Sequence, residues 1–149
     1  MSTTGLQVFD STLQETHIWL KDISQRLHSD DRKFAYTALR STLHALRDRL
    51  TPVQAVHLGA QLPMLVRGIY FEGWRMVDTP RKERHLEQFL ERVLGGVENA
   101  TTGPVDPERI ARAVFETVTT HIDIGEARKV VDELPRELRT LWPDAATRH

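Results

Sequence analysis

The seven histidines are the residues best suited to metal or acid–base chemistry, and their spacing argues against it. His17, His44, His57, His85 and His121 are scattered singly, while His28 and His149 fall in an expected loop and tail. No His-Glu-x-x-His run occurs, and no two histidines lie four apart, the spacing that puts two imidazoles on one helix face. Ser2, Ser11, Ser24, Ser29 and Ser41 all lie outside any Gly-x-Ser-x-Gly turn, so no serine nucleophile is indicated. Gly95-Gly96 matches neither a phosphate-cradling loop nor a dinucleotide fingerprint. The chain has no cysteine, which excludes disulfides, thiolate zinc sites, iron–sulfur clusters and cysteine nucleophiles. Carboxylate pairs such as Asp132-Glu133 and Glu87 with Glu91 are accounted for as solvated helix faces. No catalytic residue, metal or cofactor is assigned, and the balance leans away from an enzyme.

The cations carry more information. Net charge is -1, yet residues 32 to 84 hold ten Lys and Arg against four acids, a surplus of +6 that the rest of the chain offsets with -7. Arg40, His44 and Arg47 stand at i, i+4 and i+7, which predicts one exposed cationic stripe on a helix. The densest aromatic cluster follows, with Tyr70, Phe71 and Trp74 close to Arg67; Tyr70 and Trp74 are four apart and are expected to share a face. Aromatics and arginines anchor interfaces, so the stripe and the segment from Arg67 to Trp74 make a candidate contact surface. The alternatives are a solvated face answered by acidic patches elsewhere and a cluster that packs in the core. An acidic protein or a second copy of the chain would fit such a surface; nucleic acid fits less well, given the slightly negative total and no recognised binding motif. No apolar run approaches the length of a membrane span, and the first residues lack a charged region followed by an apolar one, so the expected location is the cytoplasm.

The elements that must position these residues are all helices. The chain has 149 residues, and one of that size buries roughly two thirds of its unfolded surface, enough for a single domain without staples. Helices are predicted from about Asp10 to His28, from Asp30 or Asp31 to about Arg49, after Thr51-Pro52, after Pro63 as far as Trp74, and after Thr79-Pro80 with Gly95 as its stop. Residues 96 to 105 form the expected loop. Further helices begin at Asp106-Pro107, Asp123 and Pro135, about eight in all, and the tail from 144 to 149 is expected to fray.

The chain also resembles itself. At an offset of 72 residues Leu62-Pro63 and Arg67 fall on Leu134-Pro135 and Arg139, Thr51 falls on Asp123 as a helix cap, and Gln54 falls on Glu126. Two tandem helical repeats of about 70 residues, near 10 to 78 and 80 to 142, are therefore expected. Each repeat places an arginine one turn into a short helix, where it can bond carbonyls at a helix junction. The pair Arg67 and Arg139 could instead hold an anionic ligand between the halves, because guanidinium matches carboxylate and phosphate oxygens.

The run from Tyr36 to Trp74, with Leu43-His44-Ala45-Leu46-Arg47-Asp48-Arg49-Leu50, Ala60-Gln61-Leu62-Pro63 and Arg67-Gly68-Ile69-Tyr70-Phe71-Glu72-Gly73-Trp74, resembles the bacterial family catalogued as domain of unknown function 2267. The resemblance extends over most of the chain. It implies a small bacterial all-helical protein and brings no activity or catalytic residue with it. The expectation is a non-enzymatic interaction or accessory module contacting its partner through Arg40, His44, Arg47, Arg67, Tyr70 and Trp74. The alternative is a small-ligand or anion binder with Arg67 and Arg139 in a pocket between the halves.

Overall fold

Residues at three- and four-residue spacing decide the first element of the computed structural model, which describes residues 2–101 and 103–148. Thr16, Trp19, Leu20 and Ile23 turn inward from α1, Gln7–Arg26. This helix begins a turn before the expected Asp10, because Asp10 serves the first turn from inside it, accepting bonds from the Thr4 amide and hydroxyl at 3.0 and 2.9 Å. A carboxylate is favoured there by the positive end of the helix dipole. Asp31 then accepts from the amides of Lys33 and Phe34 and opens α2, Arg32–Arg47. Thr51 and Gln54 exchange bonds in a capping box that starts α3, Pro52–Gly59. Pro63 precedes α4, Met64–Phe71, which stops short of Trp74 at Glu72, with Gly73 at φ +74° turning the chain.

The chain next makes a short 3-10 turn at Met76–Asp78. It does not enter a helix at Thr79-Pro80. The Thr79–Pro80 bond is cis, and the Arg81 amide donates to Asp48 O at 2.7 Å, tying residues 79 to 85 as an extended strap across the end of α2. The helix α5, Leu86–Val97, begins only after this strap, where Glu137 accepts from the Leu86 amide at 2.7 Å. It also passes through Gly95 instead of stopping there. Ser41 Oγ donates to Val93 O at 2.7 Å, and a Cβ on Gly96 would lie 2.2 Å from that hydroxyl, so Gly96 is the residue that lets α2 and α5 approach.

A 3-10 turn at Glu98–Ala100 occupies part of the expected loop. Asp106 caps α6, Pro107–His121, and Asp123 accepts from the Glu126 amide to start α7, Ile124–Asp132. Two short helices complete the chain, α8 at Arg136–Arg139 and α9 at Asp144–Thr147. The last of these stands where a fraying tail is expected from 144 to 149, of which His149 lies outside the described residues. Ala146 is fully buried, and Arg128 Nε donates to Ala145 O at 3.1 Å, so the segment docks on α7.

Among the described residues the protein is all-α, with nine α-helices and no strand. At its centre α2 packs against α1, α4, α5 and α6, burying Leu39, Leu43 and Leu46 completely. Phe115 of α6 stacks on Trp142 with ring centres 4.2 Å apart and faces Phe89 of α5 at 6.1 Å. Both halves of the chain therefore contribute to one continuous apolar core.

Candidate functional site

The last carbonyls of a helix have no partner inside it and form the negative end of its dipole. Those of α4 point at α2, where two residues of the stripe, His44 and Arg47, meet them and the third, Arg40, reaches the Glu72 side chain. His44 Nε2 bonds Ile69 O at 2.7 Å. Arg47 Nη1 donates to Tyr70 O at 2.8 Å and Glu72 O at 3.0 Å, and its Nε donates to Asp48 Oδ1 at 2.9 Å. Arg40 Nε donates to the Glu72 carboxylate at 3.0 Å. The three residues do share one face, but that face is a clasp on α4 and not an open stripe: Arg47 is only 4% exposed. Burial, followed by the neighbouring Arg47 and Arg40 charges, lowers the His44 pKa against the opposing effect of the Ile69 bond. The imidazole is therefore held neutral, with Nε2 carrying the proton that Ile69 accepts.

Tyr70 is fully buried and donates its hydroxyl to Ala55 O at 2.8 Å. Burial pushes its phenol far above the ordinary range. Trp74 lies beyond the end of α4, so it does not share a helical face with Tyr70; its ring packs on Phe71 with centres 5.4 Å apart. Arg67 donates to Gly59 O and Leu62 O, each at 2.9 Å, closing the end of α3. Arg139 donates to Leu134 O at 2.9 Å and Asp132 O at 3.0 Å, closing the end of α7 in the same manner.

Among the described residues, two of the concavities border these groups. One is a groove of about 560 Å³ between α1, α2 and α4. Leu13, Leu20, Tyr36, Leu65 and Ile69 give it an apolar floor, and Arg32, Lys33, His17 and Glu72 stand at its rim. The Arg40 bond to Glu72 places a further cation beside that rim, and the His44 bond fixes the backbone of Ile69 in the floor. The other is a cleft of about 650 Å³ between the end of α2, the strap and α7–α8, where Arg139 borders the opening; Arg67 is not among its lining residues, so the cleft does not join the two arginines.

Arg49, Arg81, Lys82 and Arg84 also line this cleft, and sequence reasoning did not single them out. Their clustering was visible in the basic central segment, but the burial of Arg49, 8% exposed, is a property of the folded chain. Among the described residues no group of three or more His, Asp or Glu is arranged to hold a metal ion, and no helix is long and apolar enough to cross a membrane.

No curated protein matches the chain. Its sequence from residue 16 to 141 matches the family described as an uncharacterized conserved protein, DUF2267. With nearly the whole helical core inside that span, the chain belongs to the DUF2267 family.

Proposed function

We propose that the protein is a non-enzymatic interaction module that docks an acidic, amphipathic helix of a partner protein in the groove between α1, α2 and α4. The observation that carries this reading is the pairing of an apolar floor with a cationic rim. Tyr36 and Leu65 remain 38% and 39% exposed at the groove, and Phe9, 47% exposed, extends the apolar face one turn beyond Leu13. Arg32, Lys33 and nearby Arg40 would meet Glu or Asp flanking a row of apolar anchors, the usual arrangement when a helix lies in a groove. In this reading Arg40 acts at the rim, while His44, Arg47 and Tyr70 hold the wall that α4 provides. The matching closures of α3 by Arg67 and of α7 by Arg139 support the view that two tandem repeats built this scaffold.

A fluorescein-labelled helical peptide with Leu at i, i+4 and i+7 and Glu on both flanks tests the proposal by fluorescence anisotropy. Binding that weakens with salt and falls at least tenfold in Lys33→Glu and Leu65→Asp is expected. Binding indifferent to both substitutions, or none, would overturn it; dimerisation lost in Leu65→Asp would assign the groove to a second copy instead.

A further inference from the structure

Arg49 is 8% exposed, and its Nε and Nη1 are buried without a hydrogen-bond partner. Arg81 Nε is buried and unpartnered as well. A buried cation lacking acceptors is among the least favourable groups a fold can hold, and partners are normally supplied for it. Both side chains line the cleft between the end of α2 and α7–α8, with Lys82, Arg84 and Arg139.

The local acids answer this charge only in part. Glu83, the acid within the strap, is taken by Arg92, which donates from Nε at 2.7 Å and from Nη2. That bond, aided by the charges of Arg92, Arg81 and Arg49, holds the Glu83 carboxyl below its usual range. Asp132 and Glu133 stand on the opposite wall, giving two carboxylates against five cationic residues in the lining. Burial is the main cause that lowers the Arg49 pKa; Glu83 opposes it, and the Arg92 and Arg84 charges add to it.

We propose that this cleft binds the phosphate group of a small phosphorylated molecule, with Arg49 and Arg81 as its buried donors and Arg84 at its mouth. Guanidinium forks match phosphate oxygens in pairs, and a dianion suits a surplus of cations better than a single carboxylate does. The volume exceeds that of a lone ion and falls within the range of small-molecule sites. Pro80, Leu134 and Pro135 supply apolar wall for the body of the ligand. The inference goes beyond the docking reading, because the groove and the cleft have no lining residue in common.

Thermal unfolding and calorimetry with inorganic phosphate, phenyl phosphate and benzoate, against potassium chloride at matched ionic strength, test it. Saturable stabilisation by both phosphates is expected, with phenyl phosphate at least tenfold tighter than inorganic phosphate and benzoate weaker than either. In Arg49→Met the phosphate response disappears while the unliganded protein is as stable as wild type or more so. Equal responses in wild type and Arg49→Met, no response in wild type, or preference for benzoate would overturn the assignment. So would phenyl phosphate binding no tighter than inorganic phosphate. If Arg49→Met does not fold, the exposed Arg84 decides: Arg84→Met must weaken phenyl phosphate at least tenfold, and an unchanged affinity contradicts the site. Leu65→Asp, in the groove, must leave phosphate binding as it is.

Discussion

Arg47 and Arg49 stand two residues apart at the end of α2, and both are buried, yet their surroundings are opposite. Arg47 donates to two carbonyls at the end of α4 and to the Asp48 carboxylate. Arg49 has two nitrogens facing no acceptor at all. The contrast separates two uses of the same side chain. A guanidinium whose donors meet helix-end carbonyls closes a structure, and one that lines a cation-rich cleft without partners leaves donors for something that arrives later. Counting basic residues along the sequence treats the two alike.

The largest expected effect is on the satisfied side. Arg47→Met leaves Tyr70 O and Glu72 O without their donor and should cost about 3 kcal/mol. For a chain of this size that lowers the melting temperature by roughly 6–12 °C, measured by calorimetry. A loss near zero would show that the clasp is not what holds α4. A smaller effect concerns His44. Its folded pKa lies below its unfolded value of 6.5, so below that pH the unfolded chain binds the extra proton. Stability is then full above pH 6.5 and declines as the pH falls towards the folded value. Urea unfolding between pH 7.5 and 5 should show that decline, and His44→Gln should flatten it. The smallest effect belongs to Arg40, whose pair with Glu72 is exposed on both sides, at 41% and 61%. Arg40→Ala should change stability by less than about 0.5 kcal/mol, which equilibrium unfolding in urea can check.

The helix starts at Asp31, Thr51, Asp106 and Asp123 were legible because a cap is a contact within four residues. The later start of α5 was not, since it depends on the Arg81 amide reaching Asp48 O across the fold. Its continuation through Gly95 depends likewise on Gly96 meeting Ser41. Periodicity placed Arg40, His44 and Arg47 on one face, but a period does not say what the face packs against; only α4 settles that. The same limit hid Arg49. Its distinguishing property is the absence of an acceptor, which is decided by the strap and α7–α8 together.

Thermal unfolding of Arg47→Met and Arg49→Met, side by side in phosphate-free buffer, tests the separation of the two arginines most directly. Changes of opposite sense are expected. Arg47→Met loses about 3 kcal/mol, and Arg49→Met stays level or gains up to about 2 kcal/mol as an unpaired buried charge is removed. A loss in Arg49→Met as large as that in Arg47→Met would contradict it, because Arg49 would then be holding the fold together.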